Sequence, residues 1–286
     1  MLSFVFRKLA TLRKSLRRLR DSRLHRRYIQ GDRKPWTPGY HVEKRKVIAE
    51  STSNPDWPCY AIPENYGFRL DERVVEYPWF VARLPGGGGR LLDAGSVLNF
   101  DYLVENPKIS EKNLYISTLA PESHAFWKKG VNYVFEDLRE SCFRDSYFDW
   151  ICCLSTLEHI GLDNTRFSPS DATKLENRPE SCLKAVGEFR RMLKPGGRLY
   201  LSVPYGKAKN HRWFQVFDGD MIDRVIAEFQ PNEVVETVYR YSPDGWTVSD
   251  RLAAADETYF DIHTQSEYDS DFAAASRAVI CLEMVK

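Results

Sequence analysis

The chain has 286 residues, 43% hydrophobic, 28% charged and 13% aromatic, a composition that excludes wholesale disorder and a length that suits one well-buried α/β core with appendages rather than two independent domains. The formal charge of +1 conceals an asymmetry: segment 1–34 holds twelve Lys/Arg against Asp21 and Asp32, net +10, which leaves 29 Lys/Arg against 38 Asp/Glu, net −9, in 35–286. Six cysteines without a C-x-x-C pair or a His-spaced pattern (Cys59, Cys142, Cys152, Cys153, Cys182, Cys281) read as reduced thiols of a cytoplasmic protein, with no disulfide and no zinc site; the apolar run LSFVF is too short for a signal peptide or a membrane span.

Residues 2–29 predict a helix. Leu2, Val5, Leu9, Leu12, Leu16 and Leu19 recur at spacings of three and four, with no Pro or Gly before Gly31. Arg and Lys fill the remaining face, so the segment suits an anionic membrane surface, which would place the protein peripherally at the inner membrane; packing on its own domain or on a partner chain is the alternative use. Nucleic acid is disfavoured, because no aromatic interleaving accompanies the helix and the body is acidic. Residues 35–89 are rich in proline and aromatics and read as an irregular lead-in packed on the core. The GGGG at 86–89 precedes the first strand, whereas phosphate loops follow theirs, so it reads as a flexible turn.

From residue 90 the chain alternates short apolar strands with helical stretches. RLLDAG, NLYIST, NYVFED, FDWICCLS and GRLYLSVP are strand candidates, followed by VVETVYRY and RAVICLEMV; helices are expected over 180–193 and 219–229. The pattern is that of a Rossmann-like, doubly wound α/β sheet of about seven strands, mostly parallel with an antiparallel C-terminal strand, over 90–286.

Four pieces in order then carry a resemblance: LLDAGS at the end of the first strand, FEDLRE after the third, FDWICCLSTLEHI through the fourth, and FRRMLKPGGRLYLSVP into the fifth. Together they resemble class I methyltransferases dependent on S-adenosylmethionine (SAM), in the methyltransferase type 11-like branch whose fourth strand is followed by L-E-H-I. The resemblance implies SAM as cofactor, with Asp93, Gly95 and Ser96 at the first turn, Thr118 at the ribose position after the second strand, Asp137 on the adenine amine, Leu138 on the ring, and Ser155 at the end of the fourth strand. It also implies methyl transfer to an oxygen of a small-molecule or glycan acceptor, by way of a branch associated with polysaccharide biosynthesis.

The physical roles can be argued beside it. Ligands of open parallel sheets bind at the carboxyl ends of the strands, where glycine admits close backbone approach and a carboxylate can hold turn amides. Methyl transfer to a hydroxyl needs orientation and a base, for which His159, His211 and Glu158 are the candidates; the alternative reading of the E-H pair is a brace of its turn, and of His211 a surface histidine. The loop 161–180 reads as a lid or an exposed insertion, and Trp213 and Phe214 as a stacking surface or as core. Two departures stand out: the first turn has one glycine, with Val97 following, and Thr118 stands where a carboxylate would grip the ribose. They motivate a second reading, an inactive methyltransferase-like binding or scaffold protein.

Overall fold

The computed structural model describes residues 2–54, 57, 62–167 and 171–286, with side chains from Ser15 onward except Arg17; Cys59 and the stripe residues Leu2, Val5, Leu9 and Leu12 therefore fall outside the described side chains. Helix α1 covers Leu2–Gln30, and the lead-in contains two further helices, α2 (Tyr40–Thr52) and α3 (Arg73–Arg83). The sheet then begins with β1 (Arg90–Ala94), followed by the short turns α4 (Asp101–Val104) and α5 (Pro107–Ser110), β2 (Asn113–Thr118), β3 (Asn132–Phe135) and β4 (Phe148–Leu154). After α6 (Cys182–Met192) come β5 (Leu193–Pro204), the two-residue strands β6 (Lys209–Asn210) and β7 (Gln215–Val216), α7 (Gly219–Phe229), β8 (Glu233–Ser242), β9 (Gly245–Ser249) and β10 (Ala278–Val285).

Eight strands form one sheet in the order β3-β2-β1-β4-β5-β10-β8-β9. The first five are mutually parallel, and β10 runs antiparallel between β5 and β8. The strand beyond the expected seven is β9, joined to β8 through Pro243-Asp244, a two-residue hairpin loop. Strand order reverses between β1 and β4, which makes the ends of those strands the crevice of the fold.

Burial on both faces explains why these strands read as continuous apolar runs. Leu91, Cys152 and Tyr200 point into the cluster formed with the lead-in, alongside Ile48, Val74, Trp79 and Phe80. Their neighbours Leu92, Ile151 and Leu199 point the other way, onto Val186, Phe189 and Met192 of α6 and Ile222 and Val225 of α7. Helix α7 starts where Asp218 caps it, its side chain accepting from the Met221 amide at 2.9 Å.

Periodicity did not reveal α3 because RVVEYPWFVAR is buried almost all round and contains Pro78. Proline has no N–H for the carbonyl four residues back, here that of Val74. The Tyr66 hydroxyl supplies the missing donor to Val74 O at 2.6 Å and is itself 2.8 Å from Ser51 Oγ on α2. The lead-in is thus a layer of the fold. Among the described residues, helix α1 joins it through its C-terminal part: Tyr28 enters the core, His25 Nε2 meets Glu43 at 2.5 Å, and Arg45 meets Asp21 at 2.7 Å. Leu16 and Leu19 are 56% and 59% exposed, so this part of the stripe does not pack on the domain. No helix among the described residues is long and apolar enough to cross a membrane.

Tyr66→Phe should lower stability by about 1–2 kcal/mol in urea denaturation, because a partly buried carbonyl loses its donor. Adding Pro78→Ala, which restores the backbone N–H, should recover much of that loss; a Tyr66→Phe protein as stable as the parent would refute the rescue.

Candidate functional site

A cavity of about 410 Å³ opens at the carboxyl ends of β1 to β4, within the size range of small-molecule sites. Gly95, Thr118, Asp137, Leu138, Ser155 and His159 line it, together with Arg73, Val97, Glu122 and residues of the 161–180 loop. Asp93, Ser96, Glu158 and His211 are not on its wall.

The first turn is held from below. Asp93 is fully buried, and its two carboxylate oxygens accept from the Val97 amide (3.1 Å) and the Leu98 amide (2.7 Å). Burial pushes its carboxyl up to about 7, against the pull of these two amides. Gly95 has φ +124°, and a Cβ there would overlap the Thr156 side chain that follows β4. The single glycine therefore serves contact between two strand ends of the chain itself. Ser96 is buried in left-handed backbone (φ 63°), and its Oγ has no partner among the described residues.

At the end of β3, Asp137 takes Arg139 Nε on Oδ1 at 2.9 Å and Arg139 Nη2 on Oδ2 at 2.7 Å. The same guanidinium meets both oxygens of Glu176 (2.6 and 2.7 Å), tying the 161–180 loop across the cavity. Burial works to raise the Asp137 carboxyl, but Arg139 outweighs it and holds it below the ordinary value. Residues 168–170 of the loop lie outside the described residues.

The end of β4 is pinned by two residues that the sequence reading did not single out. Glu76 of α3 is completely buried; its Oε1 accepts from Ser155 Oγ (2.5 Å) and Ser202 Oγ (2.6 Å), and its Oε2 from Arg73 Nη1 (2.9 Å). Arg73 also donates to Leu154 O at 3.2 Å and more weakly to Ser155 O at 3.4 Å, with Ser155 at φ 37°. An Arg and a Glu three apart inside an otherwise apolar helix were the available signal, since both must pair if buried.

Just beyond lies a one-turn 3₁₀ helix, Leu157–His159. His159 Nδ1 is 2.8 Å from Trp213 O, and a carbonyl only accepts, so Nδ1 carries the proton and Nε2 the lone pair. Burial lowers its pKa to about 4, partly offset by that carbonyl, and the ring stacks on Trp213 at 5.1 Å. Glu158 points away from solvent, its carboxyl raised well above the ordinary range by burial, with Oε2 unpartnered among the described residues. His211 stacks on Phe214 at 4.3 Å with Nδ1 3.6 Å from Asp261 Oδ2, and burial lowers it. Phe214 is core, while Trp213 is half-buried beside His159 under Arg166.

Residues 92–201 match the family model described as a methyltransferase domain. These residues form a class I methyltransferase domain. No curated protein matches the chain. Among solved structures, a SAM-dependent methyltransferase from Archaeoglobus fulgidus is similar at 14% identity, 77% coverage of this chain, 96% of that chain and TM-score 0.47. The 1,6-didemethyltoxoflavin-N1-methyltransferase of Burkholderia thailandensis, with bound 1,6-didemethyltoxoflavin and S-adenosylhomocysteine, is similar at 14% identity, 70% and 72% coverage and TM-score 0.41.

The cofactor of such a methyltransferase domain is SAM. The cavity fits its chemistry: Val97 and Leu138 give apolar surface for a base and Glu122 gives a carboxylate for polar donors, while Asp137, the expected adenine partner, is spent on Arg139.

Glu76→Ala should cost about 3–5 kcal/mol by leaving the half-buried Arg73 without its carboxylate and the Ser155 and Ser202 hydroxyls without their acceptor. The pair Arg73→Met with Glu76→Leu should be far less damaging; denaturant titration of both reads the difference, and equal losses would argue against a pair-specific role.

Proposed function

We propose that this methyltransferase transfers the methyl group to an oxygen of a small-molecule, glycan-type acceptor, with His159 as the base. SAM supplies an electrophilic methyl on a sulfonium. The protein's task is then to align the acceptor oxygen and to receive its proton. The single observation that carries this reading is the fixed tautomer of His159 on the cavity wall: the bond to Trp213 O leaves Nε2 as an acceptor at the end of β4. Asn164 supports the arrangement, its Nδ2 donating to His159 O at 2.8 Å and to Leu162 O at 3.1 Å, and Phe167 adds an apolar edge at the same end. His159 Nε2 would receive the proton of the acceptor oxygen as that oxygen takes the methyl group. Glu158, raised by burial with Oε1 4.0 Å from His159 Nε2, and His211, off the cavity wall, serve as supports in this scheme.

His159→Gln should lower kcat by about 10²- to 10⁴-fold in a labelled-SAM assay over a panel of nucleotide sugars, with S-adenosylhomocysteine affinity unchanged. Loss of cofactor affinity in step with kcat would instead mark a structural brace.

The His159 ring should titrate near pH 4 by NMR. A depressed pKa means that the unfolded chain binds the proton first. The stability this group contributes is thus complete above pH 6.5 and drains as pH falls through 4. His159→Gln should flatten the stability profile across that window, and a midpoint near 6.5 would contradict the buried, neutral ring.

The domain further works, in this reading, at an anionic membrane surface through α1. Arg18, Arg20, Arg23, Arg26 and Arg27 are exposed beside the unpacked Leu16 and Leu19, which supports basic attraction combined with apolar insertion. The full chain should sediment with phosphatidylserine vesicles at low salt and not with phosphatidylcholine vesicles, and Arg18→Glu with Arg23→Glu and Arg26→Glu should abolish it. Equal binding to both lipids, or to neither, would remove this surface.

A further inference from the structure

A ribose presents two neighbouring hydroxyls, and a carboxylate is suited to accept from both with charge-assisted strength. In open α/β sheets a carboxylate reaches the ribose from the region beyond the second strand. Strand β2 ends here at Thr118, whose single hydroxyl offers no such pair of oxygens. Four carboxylates line the cavity, Glu122, Glu136, Asp137 and Glu176. Glu136 is committed, with Ser117 Oγ and Ser141 Oγ on Oε1 and the Cys142 amide on Oε2. Asp137 and Glu176 are committed to Arg139. Glu122 is different. Its Oε2 accepts from Asn99 Nδ2 at 2.9 Å, and no donor among the described residues sits on Oε1.

Asn99 is what places it. That side chain is 1% exposed, and its Oδ1 accepts from the Tyr133 hydroxyl at 2.8 Å. Its backbone oxygen is 2.8 Å from His124 Nε2, which must be the donor to a carbonyl. The bracket ties the segment after β2 to the turn after β1 and holds the exposed Glu122 carboxylate on the cavity wall. We infer that Glu122 holds the ribose hydroxyls of SAM, taking the place that Thr118 cannot fill, with Asn99 as its positioning residue. The assignment rests on the cofactor reading of the cavity and extends it to a residue four positions beyond the end of β2.

The test is calorimetric titration of the full chain and of Glu122→Ala with S-adenosylhomocysteine and with its 2′,3′-dideoxy analogue. Glu122→Ala should bind S-adenosylhomocysteine about 10- to 100-fold more weakly than the parent, the loss expected of hydrogen bonds to a charged group. Toward the dideoxy analogue the two proteins should bind alike, because the groups that Glu122 contacts are gone. Adding Thr118→Asp to Glu122→Ala should restore part of the lost affinity. Equal weakening toward both ligands would mean that Glu122 merely shapes the loop, and an undiminished affinity of Glu122→Ala would give it no role; either overturns the assignment while leaving SAM binding intact. A parent protein that binds neither ligand would instead overturn the cofactor reading, and this assignment with it.

Discussion

A buried carboxylate, that of Glu76, joins the lead-in to the ends of two central strands, and the geometry of the cavity follows from it. Its two oxygens serve Ser155 at the end of β4, Ser202 on β5 and Arg73 on its own helix. A fully buried charge is tolerable only when paired and hydrogen-bonded, so this network specifies one docking of α3 against the sheet. Through Arg73 the same network reaches the carbonyls of Leu154 and Ser155 and places a cation on the cavity wall. The methyltransferase core matched over 92–201 thus borrows part of its site from residues that precede it.

The surroundings of Arg73 are unusually rich in buried acids. Burial, then Asp71 and Glu76, push Glu72 up to about 8, and burial likewise raises Glu158. Asp71 goes the other way: burial works to raise it, but Lys44 and the Tyr40 hydroxyl hold it ionised. Arg73 is thus surrounded by buried acids that shift in opposite directions, Glu72 and Glu158 up and Asp71 down.

At the cavity mouth the logic is that of bridging loops. Arg139 links the segment after β3 to the 161–180 loop, and Asn99 links the turn after β1 to the segment after β2. Both bridges add polar ties to loops that also bury an apolar residue, Leu98 in the turn after β1 and Leu162 in the 161–180 loop. The basic helix stands apart from this economy. Its final turns are anchored by Tyr28 and Asp21, while Leu16 and Leu19 are exposed.

Much of the α/β core was legible from the sequence, for a physical reason. Strands buried on both faces must be apolar runs, and amphipathic helices such as α6 and α7 must repeat at 3.6 residues, so RLLDA, FDWICCL and VICLEMV announced themselves. Motif spacing likewise placed Gly95, Asp137 and His159 near one another, since strand ends on one edge of a parallel sheet converge. Helix α3 was not legible, because proline and all-round burial erase periodicity, and Tyr66 mends the break from a distant loop; α2 buries only Tyr40, Ile48, Ser51 and Thr52, too few apolar positions to mark a stripe. The partners of each site residue were not legible either: that Asp137 meets Arg139, that Glu76 meets Ser155, and that Glu122 meets Asn99 are pairings between side chains that only packing brings together. Local pattern, then, determined which elements form and in what order, because periodicity is a property of the chain; tertiary structure decided which polar groups are spent on the protein and which stay open to a ligand, because that depends on who is buried beside whom.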